Sequence, residues 1–115
     1  REGMALIEDH GKFGYINMNG DVVINPQFKK ADKFYEGLAR VELKKRWGYI
    51  DKTGAMVIQP QFVEAASFSE GLAVVKIGEV YGFIDKTGKL VTKFPKTMRP
   101  FSFSDGLALV EVEQP

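Results

Sequence analysis

A period of 34 residues runs through the chain. It separates Gly14, Gly48 and Gly82, then Gly20, Gly54 and Gly88, then Gly3, Gly37 and Gly71, with Gly106 one residue late. Laid over Trp47–Val75, the segment Phe13–Val41 is identical at 16 of 29 positions. A period this short limits the architectures open to the chain. One unit cannot bury its own apolar face, so units must stack on their neighbours. The start, Glu2-Gly3-Met4-Ala5, matches the middle of a unit, Glu36-Gly37-Leu38-Ala39, and the last unit breaks off after Gly106-Leu107-Ala108. A partial unit is therefore expected at 1–10, with units at about 11–44, 45–78 and 79–115, in a single array cut from a longer one.

Each unit reads as three strands. In Leu38–Leu43, Ala39, Val41 and Leu43 alternate with Arg40 and Glu42, the pattern of a half-buried antiparallel strand. The two-residue links Lys44-Lys45 and Gly78-Glu79 suit tight hairpins. The second strand, Arg46–Asp51, sends Trp47 and Tyr49 one way and Gly48 and Ile50 the other. Asp51-Lys52-Thr53-Gly54, copied at 85–88 and as Asn17-Met18-Asn19-Gly20, predicts a type I turn closed by a left-handed glycine. Gly14, Gly48 and Gly82 lie within a strand instead, and close approach of a neighbouring backbone or ring is the expected reason. The third strand, such as Met56-Val57-Ile58, has consecutive apolar residues that suggest burial on both faces, and Pro60 should end it. The connector carries the anchors Ala65 and Phe68, and a single helical turn fits Lys29–Lys33 or Val63–Ala66.

The fold class is thus all-β: three-stranded meanders stacked into an open, curved array. β-Propeller blades are the alternative, disfavoured because four-stranded blades take about 40–45 residues. The last unit deviates. Pro-Gln-Phe is lost, Phe94–Phe101 replaces it, and one residue is inserted before Phe103.

These units resemble the WG (KWG) repeat family, which is mostly bacterial. The residues that carry the resemblance are Trp47-Gly48-Tyr49-Ile50-Asp51-Lys52-Thr53-Gly54, Val57-Ile58-Gln59-Pro60-Gln61-Phe62 and Phe68-Ser69-Glu70-Gly71-Leu72-Ala73. Phe13 and Tyr81 hold the slot of Trp47, so the slot asks for a large aromatic, not for an indole N–H. The resemblance implies a β-rich module that mediates contacts beside varied domains, and it brings no catalytic residues.

Catalysis requires several different groups to converge. The only histidine is His10, on a hairpin link, and there is no cysteine, so neither a His-rich zinc site nor a Cys-based one can be built. No nucleophile elbow or phosphate loop is present. No catalytic, cofactor or metal residues are therefore expected, and an enzyme is the weakest of three readings. With 16 basic against 15 acidic residues, and lysine clusters that do not recur, nucleic acid is not an expected partner. No apolar run is long enough to span a bilayer. Eleven of 14 aromatics keep the period, including Phe13, Trp47, Tyr81, Tyr49, Phe62 and Phe68, and are expected to form the core between units. The expected function is a non-enzymatic scaffold that binds another protein. The alternative is a carbohydrate- or cell-wall-binding module using exposed aromatics, a reading that needs the Trp47, Tyr49, Phe62 and Phe68 ladders to face solvent. Candidate contact residues are those that break the period: Arg40, Phe94, Arg99 and Phe101.

Overall fold

Four antiparallel sheets follow one another through a body of 51 × 30 × 22 Å in the computed structural model, which describes residues 2–104 and 107–113. The first sheet holds β1 (Met4–Asp9), β2 (Lys12–Asn17) and β3 (Val22–Phe28). The second has the order β4 (Lys30–Ala31), β5 (Ala39–Leu43), β6 (Arg46–Ile50), β7 (Met56–Phe62). The third repeats it with β8 (Glu64–Ala65), β9 (Ala73–Ile77), β10 (Val80–Ile84) and β11 (Leu90–Lys93). The last pairs β12 (Met98–Ser104) with β13 (Leu107–Val112). No sheet closes on itself among the described residues. Gly106 lies outside the described residues.

The connectors correct the sequence reading. Lys29–Lys33 and Val63–Ala66 form no helical turn; they hold the short strands β4 and β8, which pair with the first strand of the following unit. Chain leaving one sheet thereby becomes the edge of the next. Two residues of pairing leave no periodic signal, which is why the strand is not evident from sequence. Glu36-Gly37 and Glu70-Gly71 then form two-residue turns with positive φ at both positions, joined by paired Tyr35–Leu38 and Ser69–Leu72 hydrogen bonds. This is the type I′ geometry that matches strand twist.

The prolines do not end the third strand. β3 and β7 run on through Pro26 and Pro60, because each is an edge strand that needs no donor on its open side. The pairing Trp47↔Phe62 and then Tyr49↔Ile58 sets three β7 residues against Gly48 alone, a special bulge with more than one extra residue. The bulged backbone folds over Gly48: a Cβ there would sit 2.5 Å from Ile58 O and 2.8 Å from Pro60 N. Burial on both faces also fails for this strand. Ile24 and Ile58 are buried, while Val23 and Val57 are exposed on the open side.

The apolar residues divide between two cores, each shared by consecutive sheets. Tyr15, Ile24, Phe28 and Phe34 pack against Ala39, Val41 and Ile50. Tyr49, Ile58, Phe62 and Phe68 pack against Ala73, Val75 and Ile84. Tyr15 meets Phe34 edge-on at 4.9 Å, and Tyr49 meets Phe68 at the same distance. The expected opposed faces of β6 hold: Tyr49 enters one core and Ile50 the other. Phe13, Trp47 and Tyr81 depart from the expected core and are only half-buried. Each stands one residue from its hairpin turn, at the rim of the layer, opposite a charged residue: Glu8, Glu42 or Lys76.

Polar links tie the units together at fixed spacing. The Glu36 carboxylate accepts the N–H groups of Glu70 and Gly71 in the next I′ turn, and Lys86 lies 3.5 Å away. Glu2 does the same one unit earlier, accepting from Gly37 with Lys52 at 3.4 Å. Burial raises the pKa of both carboxylates, but the turn N–H groups and the lysine together outweigh it and hold both below the ordinary carboxylate value. The type I turns form as expected: Asp51 Oδ1 accepts from Thr53 N at 2.9 Å, and Gly54 adopts φ +90°. A Cβ on Gly54 would lie 3.3 Å from Ile24, so this turn also caps the preceding unit.

Candidate functional site

The one-residue insertion in the last unit falls before Arg99. The pairs Arg99↔Glu111 and Pro100↔Val110 reproduce Glu64↔Lys76 and Ala65↔Val75 on adding 35. Arg99 therefore takes the slot of Glu64, Pro100 that of Ala65, and Phe101 that of Ala66. These three residues of β12 close an open cleft of about 330 Å³ whose other walls come from Arg40 on β5, Glu64 and Ala65 on β8, Val74 and Val75 on β9, and Tyr81 on β10. The cleft thus draws on consecutive units.

Its floor is apolar: Ala65, Val74, Val75 and Pro100 are all buried. Its rim is charged and aromatic. The Arg99 guanidinium lies 5.6 Å from the Tyr81 ring centre and 5.8 Å from that of Phe101, and it is 3.9 Å from Glu64 Oε1. Lys76 Nζ stands 5.4 Å from the Tyr81 ring and 3.7 Å from Glu64 Oε2. The Tyr81 hydroxyl donates to the Glu64 carboxylate at 3.3 Å. Phe101 is 42% exposed, in contrast to the buried rings of the repeat.

Arg40 forms the inner wall and is fully engaged. Its Nε and Nη2 donate to Asp32 at 3.0 and 2.9 Å, its Nη1 donates to the Ala65 carbonyl at 2.6 Å, and it lies 5.3 Å from the Trp47 ring centre. Burial pushes the Asp32 carboxyl up, but the Lys33 N–H, the Arg40 guanidinium and the Ser67 hydroxyl prevail and hold it low. The neighbouring Tyr15 hydroxyl, which donates to the Asp32 carbonyl, is pushed well up by burial and then by the Asp32 charge. In the next unit Val74 takes the slot of Arg40 and Ala66 that of Asp32. A long ion pair at one junction becomes two short apolar side chains at the next, and the space they leave is the cleft.

Three of the four sequence-derived contact residues, Arg40, Arg99 and Phe101, meet here. Phe94 does not. It packs edge-on against Phe83 at 5.3 Å and replaces the lost Pro-Gln-Phe anchor, so its irregularity is structural. Glu64 and Lys76 were not singled out from sequence. Tyr81 looked like a core ladder member, and the charged pair carries no spacing signal. His10 sits exposed in the first hairpin turn, 2.8 Å from the Asp9 carboxylate and remote from the cleft. Among the described residues no three His, Asp or Glu side chains cluster, and no helix is long and apolar enough to cross a membrane.

Comparison with curated proteins and with solved structures returns no match. The profile of the WG containing repeat matches residues 13–47, 47–81 and 81–94, three successive copies each starting at the aromatic slot of Phe13, Trp47 or Tyr81. The period, the aromatic-Gly strand and the profile agree, and the chain belongs to the WG repeat family.

Proposed function

We propose that this β-repeat array is a non-enzymatic scaffold that binds another protein through the cleft between β8, β10 and β12. One observation carries the reading: three of the four candidate residues that break the repeat, Arg40, Arg99 and Phe101, converge on one concave surface, while the buried rings that keep it are used in stacking. An exposed ring, an arginine and an apolar floor are the composition found at the energetic centres of protein interfaces. The reading takes no cofactor and no metal. The sugar-stacking alternative loses its support, because Tyr49, Phe62 and Phe68 are buried and Trp47 is half-covered beneath Arg40.

The test places a photo-crosslinking amino acid at position 101 and, separately, at the exposed repeat position Val23 of the protein in its own cells. A protein adduct specific to position 101, diminished by Arg99→Glu, is expected. Equal labelling from both positions, or none from position 101, overturns the reading.

A further inference from the structure

The charges around the cleft are unequally engaged, and that selects a partner. Three cations, Arg40, Lys76 and Arg99, stand among three carboxylates, Asp32, Glu64 and Glu111, the last in register with Arg99 on β13. Asp32 is consumed by Arg40, which makes charge-assisted hydrogen bonds to it and fills its remaining donors with the Ala65 carbonyl. Glu64 is shared among the Tyr81 hydroxyl, Lys76 and Arg99, and its contact with Arg99 at 3.9 Å exceeds hydrogen-bond length. Arg99 is therefore held less tightly than Arg40, and its side chain is 52% exposed. Two rings flank the guanidinium, at 5.6 and 5.8 Å, and hold its plane without using its N–H groups. A planar donor fork fixed in this way is pre-organised for a carboxylate, which it can grip through two parallel bonds. Immediately below lies the apolar floor of Val74 and Pro100, in a space of about 330 Å³ that suits one or two side chains.

We propose that the cleft captures an acidic peptide segment, one Asp or Glu carboxylate pairing with Arg99 while an adjacent aliphatic side chain enters between Val74 and Pro100. This inference rests on the reading of the cleft as a protein-binding site and names the chemistry of its partner. A nucleic-acid phosphate would meet the same arginine, but the rim also presents Glu64, and a chain of net charge +1 offers no basic track along which a backbone could run.

The test is an NMR titration of the labelled protein at 150 mM salt with three probes: acetyl-Glu-Leu-Glu-Leu-amide, acetyl-Lys-Leu-Lys-Leu-amide and an oligothymidylate. Saturable shifts at Arg99, Tyr81 and Phe101 are expected with the acidic peptide alone. Arg99→Gln, a change at an exposed side chain, should weaken them at least tenfold. Ala66→Asp combined with Val74→Arg, which rebuilds the ion pair of the preceding junction in these slots, should abolish them while amide dispersion is retained. Equal binding of both peptides, undiminished binding by Arg99→Gln, or shifts with the oligonucleotide alone overturns the proposal. If position 101 still crosslinks to a protein while acidic peptides fail, the docking surface stands and only its acidic specificity falls.

Discussion

Gly48→Ala tests how the units are built. Gly48 has no positive φ, so an alanine there meets no backbone strain of its own. Space is the obstacle. The new Cβ would lie 2.5 Å from Ile58 O, 2.8 Å from Pro60 N and 3.0 Å from Gln59 C, all backbone atoms of the β7 bulge. No rotamer change relieves that. The bulge would have to retreat by about 0.9 Å, the difference between 2.5 Å and the 3.4 Å at which contacts become ordinary. Retreat moves Ile58 and Phe62, which are 3% and 1% exposed and sit in the core shared with the following sheet. Overpacking a core costs about 1–3 kcal/mol, and a backbone obstacle with two core anchors attached belongs at the upper end, ~3 kcal/mol. For a chain of this size that lowers Tm by roughly 10–15 °C. Gly78→Ala is the control. It has φ +59° with nothing within 4 Å of the added carbon, so it carries only left-handed strain, about 1 kcal/mol. Thermal melts followed by far-UV circular dichroism should rank Gly48→Ala well below Gly78→Ala. Equal losses, or a neutral Gly48→Ala, would refute the close-approach argument.

The carboxylate ladder predicts acid sensitivity. The pKa values of Glu2 and Glu36 are lower folded than unfolded, so their contribution is present above the ordinary value of 4.5 and is lost as pH falls through the lower native value. Glu36→Gln should lower the urea midpoint by the equivalent of about 1 kcal/mol at pH 7, discounted for exposure, and the deficit relative to the parent should vanish near pH 3; a pH-independent deficit would contradict the ladder. Tyr49→Phe removes a buried hydroxyl that donates to Ala66 O at 2.6 Å and should cost about 1 kcal/mol, a modest loss that fits the presence of Phe83 in the same slot of the next unit. Trp47→Ala should cost about 2 kcal/mol by equilibrium unfolding, below the ~3–5 kcal/mol of a fully buried ring, because part of its surface is already in water.

What the sequence revealed depended on whether a cause was local. The type I turns were legible because Asp51, Thr53 and Gly54 fix them within four residues. The strand glycines were legible because Gly48 has no turn beside it, which leaves only close approach. The carboxylate ladder was not, although its signal recurs at Glu2, Glu36 and Glu70. A Glu before a Gly carries only a local turn signal, and stacking alone brings the Glu2 and Glu36 carboxylates onto the turn about 34 positions later. Val57 misled because consecutive apolar residues look doubly buried, whereas β7 is an edge with one open face. Trp47 misled because a periodic aromatic suggests core, whereas its place beside the hairpin puts it on the rim. The cleft was half legible. Departure from the period selected Arg40, Arg99 and Phe101, and selected Phe94 as well, because irregularity alone does not separate a repaired core from a free surface.

The links between units explain how such departures are tolerated. Tyr49 donates to a carbonyl, Glu36 accepts from main-chain N–H groups, and Arg40 reaches both a side chain and the Ala65 carbonyl. In each of these three links the group reached in the next sheet is backbone, which every residue supplies, while Lys52 and Lys86 add side-chain contacts to the carboxylates. A unit can therefore change its side chains at those positions without breaking the links made to it. Ala65 becomes Pro100 and Glu64 becomes Arg99 while the pairing with the neighbouring strand keeps its register. Cohesion thus depends on the residues that project the links, and the receiving strand is free to vary. The cleft is lined by the receiving positions Ala65 and Ala66 and by Glu64, Arg99 and Pro100 on the same pair of strands, β8 and β12. Substitutions there should alter what binds before they alter whether the array folds, which separates this surface from the glycines and buried rings that keep the period.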